Sequence, residues 1–504
     1  MIRLFAILWL CLPGIVNAAF PAGVGRIHVG EKQIRLIGVA GPGWTLSSYP
    51  IGDFAENTPA LLDVKLDRGF FEITVPRFSG DRDLLLSRWR VKDAKGEFRS
   101  PFHYADEISC RAPDLPKVKP RTKKGLGGWF AGPFTGELDE LGIDAFTVNV
   151  VVNELVSLQP EEGTTPFIRQ GKTYHARLKN FERLDETFRQ AEKRGAVVSA
   201  ILLIANPAKG GDETAKLLGH PDAVKDGHYA MPNLASTDGA DFYGAILDFM
   251  ADRWCRAKGP HGRVHHWIMH NEVDAGWEWT NAGTKTDVEY MDLYHRSMRL
   301  MSLIARKYDP HSKPLISLTH HWADKGRAEW YGSKRMLELL ADHDKKEGSF
   351  PWGVAFHPYP QDLTEPKTWD DDQATPGFDT RKITPKNIEV LDAWMKQPRF
   401  LFHGKPRPVH LSENGFNSRD YSEKSLAEQA AGMAFAWTKI KDLKTIESWE
   451  YHNWIDNRAE GGLRIGLRKF SDEPGDPAGT KPIWVLYRSL GTKDEKEMLS
   501  RHGR

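Results

Sequence analysis

Beyond about residue 123, short apolar runs alternate with longer stretches in which apolar residues recur every three or four positions. The short runs are rich in β-branched residues, as is typical of strands buried on both faces of a parallel sheet. They lie at residues 145–152, 197–204, 264–270, 314–319, 352–356, 407–412 and 448–454. We interpret a glycine-rich segment at residues 124–130 as the strand that precedes them.

Amphipathic stretches lie between these runs and predict helices that pack against the strands. They cover residues 136–141, 180–194, 241–257, 287–308, 333–341, 388–395, 422–440 and 483–490. Strands that alternate regularly with helices predict an α/β fold, and eight such units predict a (β/α)8 TIM barrel. An open, doubly wound sheet is the alternative.

The remaining parts of the chain differ from the barrel in their pattern. Residues 20–112 contain short β-type runs separated by turn residues, and they predict a small β-rich N-terminal domain. Prolines and cations in residues 113–122 exclude a regular element and predict a linker. We expect the catalytic barrel to occupy residues 123–492 and a polar C-terminal tail to occupy residues 493–504.

Residues 1–19 have the layout of a secretory signal peptide. A cationic start at Arg3 is followed by an apolar stretch over residues 4–16 and by small residues at 17–19. The apolar stretch is shorter than the roughly 20 residues that span a bilayer. We therefore expect a secreted or periplasmic protein without a membrane partner.

The charge balance and the cysteine content exclude several classes of partner and site. Lys and Arg total 69 against 68 Asp and Glu, so no net field draws the chain to nucleic acid or to an anionic membrane. Outside the predicted signal peptide only Cys110 and Cys255 remain. Two buried thiols are favoured over a single disulfide, and their spacing does not predict a zinc site.

Polar residues are concentrated where the predicted strands end. The fourth strand continues as His-Asn-Glu over residues 270–272, and the sixth as His-Pro-Tyr over residues 357–359. The seventh contains Ser-Glu-Asn-Gly at residues 412–415, and the eighth ends in His-Asn-Trp at residues 452–454. Because active sites of parallel barrels form at the C-terminal ends of the strands, these segments are the candidate site.

Asn-Glu at the end of the fourth strand and Ser-Glu-Asn-Gly at the seventh resemble clan A of the retaining glycoside hydrolases. The resemblance implies that Glu272 is the general acid/base and Glu413 the nucleophile. It also implies that Asn271 hydrogen-bonds the sugar 2-hydroxyl and that Tyr359 lies beside the nucleophile. Trp454 resembles the aromatic floor of the subsite for the reacting sugar.

His357, two residues before Tyr359, is expected to line the same subsite. The resemblance covers residues 123–492 as an architecture but is specific only at the strand ends. The arginine that is frequent on the second strand in this clan is absent, because that strand ends in Asn153. The family within the clan is therefore not assigned.

The chain contains a second Asn-Glu pair, Asn153-Glu154. If Glu154 ended the fourth strand, Glu413 would end a ninth strand, which an eight-stranded barrel lacks. With Glu272 at the end of the fourth strand, Glu413 ends the seventh. Strand order thus favours Glu272, and the competing interpretation of either glutamate is a salt-bridged carboxylate at a strand end.

Retaining hydrolysis needs one protonated and one ionised carboxyl group. Glu272 would donate its proton to the leaving oxygen while Glu413 attacks the anomeric carbon. This mechanism predicts carboxyl groups roughly 5–5.5 Å apart, against about 6.5 Å or more in an inverting enzyme.

Aromatic residues and histidines next to the strand ends are further candidates for substrate binding. Trp277 follows the fourth strand and Trp322 the fifth, where an indole can stack on the flat face of a sugar, although core packing explains either position equally well. His320 and His321 end the fifth strand and can hydrogen-bond sugar hydroxyls. No metal site and no cofactor are expected, because metal-ligand spacings are absent from the sequence.

The sequence therefore predicts a secreted retaining glycoside hydrolase. The resemblance favours a β-linked polysaccharide or oligosaccharide as substrate. A non-catalytic carbohydrate-binding barrel is the alternative, and a metal-dependent esterase or amidase is a third interpretation. Sugar identity, endo or exo action and oligomeric state do not follow from the sequence.

Overall fold

The computed structural model describes residues 22–52 and 58–503. The predicted signal peptide, residues 1–19, lies outside the described residues. Within the described ranges, no helix has both the length and the hydropathy that a membrane crossing requires.

Small, mainly antiparallel sheets form the N-terminal part of the chain. Their strands are β1 (Gly23–Val29), β2 (Gln33–Ala40), β3 (Thr45–Pro50), β4 (Leu62–Lys65), β5 (Gly69–Pro76), β6 (Phe78–Ser79), β7 (Arg82–Asp83), β8 (Ser87–Lys92) and β9 (Glu107–Ile108). Buried and exposed positions alternate along β2, which places Ile34 and Leu36 in a core. The predicted β-rich N-terminal region is confirmed.

Between residues 124 and 451, where every residue is described, eight parallel strands close into a barrel, as predicted. Each strand pairs with the next along the chain, and the eighth pairs with the first. They are β10 (Lys124–Leu126), β11 (Ala145–Val151), β15 (Val197–Leu203), β16 (His266–Met269), β17 (Lys313–Thr319), β18 (Gly353–His357), β19 (Val409–Asn414) and β20 (Ile446–Tyr451). A side chain at Gly125 would meet Glu450 and Ala145 at 2.8 Å, which explains a glycine in the first barrel strand.

An insertion between the second and third barrel strands contains a small sheet that the sequence patterns did not predict. It consists of β12 (Val156–Ser157), β13 (Thr165–Arg169) and β14 (Lys172–Ala176). Phe167 and Tyr174 face each other across this sheet and are buried against the barrel helices. Apolar and polar residues alternate only weakly along these short strands, so their sequence pattern resembles that of a loop.

Helices surround the barrel; eight lie where the sequence predicts them, whereas α3, α5 and α11 were not predicted. They are α1 (Glu137–Leu141), α2 (Leu178–Lys193), α3 (Glu213–Leu218), α4 (Thr237–Trp254), α5 (Gly276–Trp279), α6 (Asp287–Ala305), α7 (Ser333–Lys346), α8 (Glu389–Trp394), α9 (Glu423–Ile440), α10 (Pro482–Ser489) and α11 (Glu495–His502). The residues predicted as a polar C-terminal tail form α11. This helix packs on α9, where Trp437 Nε1 donates to Glu495 Oε2 at 2.9 Å.

Residues 113–122 contain neither helix nor strand and cross the N-terminal end of the barrel. Lys119 Nζ lies 2.6 Å from Glu447 Oε1 at the start of β20, and Arg121 pairs with Asp144 just before β11. The segment predicted as a linker is therefore fastened to the barrel at the end opposite to the strand ends that carry the candidate site.

The two cysteines do not form a disulfide. Cys255 is buried and Cys110 is half-buried, and both thiols are free. The preference for two thiols is confirmed, although only one of them is fully enclosed.

A carboxyl group lies inside the barrel below the strand ends. Glu450 on β20 is buried, and Ser448 Oγ lies 2.6 Å from both Glu450 Oε1 and His410 Nδ1. Burial raises the pKa of Glu450 from 4.5 to about 8, because the surrounding side chains do not replace the hydration of a charge. Glu450 is therefore neutral at pH 7.

This raised pKa predicts a pH dependence of stability. Between pH 4.5 and 8 the native state keeps the proton of Glu450 and the unfolded state loses it, so the stability falls as the pH rises. Glu450→Gln removes this contribution. We compare the free energies of unfolding of variant and wild type, measured with urea. As the pH rises, we expect their difference to change in favour of the variant by at most about 1.4 kcal/mol per pH unit. Equal pH slopes for wild type and variant would contradict this, and Glu182→Gln on the surface of α2 is the control.

Candidate active site

The two predicted catalytic glutamates meet at the C-terminal end of the barrel. Glu272 follows β16, the fourth barrel strand, and Glu413 lies on β19, the seventh. One oxygen of each carboxylate lies within 4.8 Å of the other and of a ring nitrogen of His357. Both carboxylates keep limited access to solvent, with 14% of the side chain of Glu272 and 24% of that of Glu413 exposed.

The backbone at Glu272 is held in an uncommon conformation. Its φ is +39°, in the left-handed region that residues with a side chain rarely adopt, and its N–H donates to Ser317 Oγ at 3.0 Å. Asp274 anchors the same turn by accepting from Thr319 N and from Ser333 Oγ, each at 2.9 Å. Such strained positions are frequent at active sites, where the surrounding structure maintains them.

His357 lies between the two carboxylates. Its ring is fully buried, and Nδ1 lies 2.8 Å from Glu272 Oε1 and 3.9 Å from Glu413 Oε2. Burial by itself would lower the pKa of His357, but Glu413 and Glu272 together raise it above its usual value. The ring therefore contacts Glu272 directly and lies near Glu413 at a longer distance.

Glu413 is surrounded by groups that favour its ionised form. Tyr359 donates its hydroxyl proton to Glu413 Oε1 at 2.9 Å, as expected of a tyrosine beside the nucleophile. Burial alone would raise the pKa of Glu413, but the charges of His452 and His357 and the bond from Tyr359 hold it below its usual value. An ionised carboxylate is the form that a nucleophile requires.

His452 and Glu460 belong to the site but were not singled out from the sequence. His452 Nε2 lies 3.1 Å from Glu460 Oε1, and Asn453 Nδ2 donates to the same carboxylate at 2.9 Å. Burial would lower the pKa of His452, but Glu413 and Glu460 raise it above its usual value. His452 is one of the polar residues at the end of the eighth strand, and this position could have identified it as a site residue. Glu460 lies in the loop that follows, where no sequence motif indicates a role.

Two predicted substrate-binding residues have polar atoms without a partner among the described residues. Asn271 Oδ1 and His320 Nε2 are both buried and unpaired. Burial lowers the pKa of His320 well below its usual value, so its ring is neutral and can donate or accept. Unpaired buried polar atoms are costly, and sugar hydroxyls or water would satisfy them.

The three predicted aromatic platforms are placed differently by the structure. Trp322 is 0% exposed, and its indole donates to the carbonyl of Phe378 at 2.9 Å. Trp454 is 8% exposed, donates to Glu137 Oε2 and packs edge-on against Phe134. Of the three, Trp277 alone is half-buried. For Trp322, core packing explains the ring, while the residue also lines a groove with Trp277, so its binding role stays a prediction.

The cluster of Glu272, His357 and Glu413 also has the ligand spacing of a three-residue metal site. His357 Nδ1 lies 2.8 Å from Glu272 Oε1, and Tyr359 donates to Glu413 Oε1, so these groups are hydrogen-bonded to one another. The same donor set is suited to proton transfer.

Comparison with known proteins assigns the chain to a family but not to a reaction. The model of DUF5722, described as a family of unknown function, matches residues 116–502. The chain belongs to this family. The region that DUF5722 matches begins within the predicted linker and includes the whole barrel, whereas the N-terminal sheets lie outside it. No curated protein matches the sequence.

Solved structures with a similar fold include glycoside hydrolases. A family 39 glycoside hydrolase from the gut symbiont Bacteroides cellulosilyticus WH2 is 13% identical over 93% of this chain and 83% of its own, with a TM-score of 0.47. The β-glucuronidase of Bacteroides uniformis is 12% identical over 94% of this chain and 50% of its own, with a TM-score of 0.41. The exo-β-1,4-mannosidase Op5Man5 from Opitutaceae bacterium strain TAV5 is 13% identical over 77% and 62%, with a TM-score of 0.44.

This chain thus spans only half the length of the β-glucuronidase. At these identities and TM-scores the likeness does not identify a reaction, and the chemistry proposed below rests on the site residues.

Proposed function

We propose that the protein is a glycoside hydrolase that cleaves β-linked glycans with retention of anomeric configuration. The observation that carries the proposal is the separation of the two carboxylates, since one oxygen of Glu272 lies within 4.8 Å of one oxygen of Glu413. Retaining enzymes place these groups about 5–5.5 Å apart, whereas inverting enzymes need about 6.5–9.5 Å to admit a water molecule between sugar and base. The spacing supports direct attack by Glu413.

In the first step Glu413 attacks the anomeric carbon and Glu272 donates its proton to the glycosidic oxygen. The bond between that carbon and oxygen breaks, the alcohol leaves, and a glycosyl ester forms on Glu413. Tyr359 and His452 favour the ionised Glu413 that this step needs.

In the second step the ionised Glu272 takes a proton from a water molecule. The water oxygen attacks the anomeric carbon, the ester bond to Glu413 breaks, and the sugar leaves with its original configuration. His357 contacts Glu272 at 2.8 Å and stabilises its carboxylate after the proton has left.

The β-linkage and the location are both inferred from sequence patterns. The linkage rests on the resemblance of the strand ends to clan A. Export rests on residues 1–19, whose pattern is that of a signal peptide. A glycan outside the cytoplasm is the substrate class that agrees with both.

The proposal is tested by incubating the protein with soluble β-glucans, β-mannans, β-xylans and aryl β-glycosides. We expect new reducing ends with at least one substrate, and proton NMR should detect the β-anomer as the first product before mutarotation. A first product of α-configuration would contradict retention. Loss of activity after treatment with EDTA would instead favour the metal-dependent interpretation.

A further inference from the structure

A groove lies between the loops that follow the fourth and fifth barrel strands. It encloses about 810 Å³, within the range of roughly 300–1,000 Å³ that is common for ligand pockets. Its lining includes Trp277, Trp322, Trp330 and Tyr331. Trp277 and Trp330 are half-buried, which distinguishes them from the fully buried Trp322.

The groove is connected to the catalytic site through two contacts. The N–H of Tyr331 donates at 2.7 Å to the carbonyl of Asp274, two residues after Glu272. On its other side, the ring of His321 meets Trp330 edge-on at 5.3 Å and stacks on His320 at 4.6 Å. Through these contacts Trp330 is connected to His320, which directly follows the fifth barrel strand.

The indole of Trp330 is held in a fixed orientation. Its Nε1 donates to Glu278, whose carboxylate also pairs with Arg327. A side chain at Gly326 would lie 2.4 Å from the ring, so the glycine leaves space for the indole. A preorganised aromatic face costs little entropy when it binds a ligand.

The charges at the groove are largely neutralised by pairs. Arg335 lies 2.6 Å from Asp287, Lys334 lies 2.6 Å from Asp379, and Lys285 lies 2.7 Å from Asp222. A fixed indole among paired charges suits an uncharged ligand with an apolar face. Sugar rings have such faces.

We propose that this groove binds the leaving-group saccharide of a neutral glycan, with Trp330 as the stacking platform. The inference rests on the proposed function. An acid/base donates its proton to the oxygen that joins the reacting sugar to the leaving group, so the leaving group must lie on the side of Glu272. Loops that follow the fourth and fifth barrel strands form the groove, and Glu272 lies at the end of the fourth, whereas Tyr359 and His452 surround Glu413.

The test measures binding to a protein that cannot turn over its ligand. Isothermal titration of Glu413→Gln uses four neutral probes: cellohexaose, laminarihexaose, mannohexaose and xylohexaose. For a hexasaccharide that binds, we expect Trp330→Ala in the same background to weaken binding about tenfold or more. Trp330→Phe keeps an aromatic face and should weaken binding less. Trp44→Ala, in the N-terminal sheets, is the matched control and should leave binding unchanged.

The outcomes separate this inference from the proposed function. If a hexasaccharide binds Glu413→Gln and Trp330→Ala binds it equally well, the groove is not its site and the inference is wrong, while the proposed function stands. If none of the four hexasaccharides binds Glu413→Gln, the inference is wrong, and the assay of reducing-end release decides the proposed function separately. A thermal unfolding curve for each variant, and the response of Trp330→Phe, distinguish loss of the platform from loss of folding.

Discussion

Glu413→Ala is expected to lower kcat by about 10⁴-fold or more, because a displacement through a covalent ester has no other nucleophile at the site. Glycan binding should persist, since the change removes a carboxylate and leaves the barrel intact. Stopped assays of reducing-end release and titration of the same glycan measure the two properties. Persistence of binding with loss of turnover would also exclude a non-catalytic binding protein.

Two controls make the result for Glu413 specific. Glu447→Gln alters a carboxylate at the opposite end of the barrel and should retain activity. Azide, which is small enough to occupy the space left by the carboxylate of Glu413, should restore turnover of an activated aryl glycoside and give a glycosyl azide of inverted configuration. Wild-type activity in Glu413→Ala would remove the proposed mechanism.

Glu272→Ala is expected to lower kcat for a natural glycan by about 10²–10⁴-fold, the usual contribution of a positioned acid or base. The loss should depend on the leaving group. A dinitrophenyl glycoside needs no proton to depart, so its first step should remain fast while the second step, which needs the base, becomes limiting. A burst of dinitrophenol followed by slow turnover is the expected time course.

The matched control is Glu154→Ala, which removes the other Asn-Glu carboxylate of the sequence. Glu154 is exposed in a short turn after β11, and its loss should leave the burst and the steady rate unchanged. Azide added to Glu272→Ala should give a glycosyl azide of retained configuration, the opposite result to that for Glu413→Ala. Equal losses for aryl glycosides and glycans would contradict the role of Glu272 as the acid.

The barrel was predictable from the sequence because its signal is local. Strands buried on both faces need continuous apolar runs, and each run in this chain is separated from the next by an amphipathic helix. Counting the runs was sufficient to place Glu272 after the fourth strand and Glu413 on the seventh. The small sheet β12–β14 and the helix α11 were not predicted, because short elements packed against a large domain need little periodicity of their own.

The environments of Trp322 and Trp330 were not predictable from the sequence. Both residues follow the fifth strand, yet Trp322 is fully buried against Trp394 and Trp330 is half-buried beside Glu278. Their difference depends on the path of one loop and on Gly326, which leaves room for the indole of Trp330. Sequence position alone does not determine the direction of a side chain in a loop.

The sequence by itself determined the eight-stranded barrel, the order of its strands and the two glutamates at their ends, because these depend on hydrophobic periodicity and on chain order. The tertiary structure decided which groups control those glutamates. His357, His452 and Glu460 come from different segments, and their effect depends on distances of a few ångströms in a buried environment. Electrostatic interactions fall steeply with solvent exposure, so only the folded arrangement determines which charges act on Glu413.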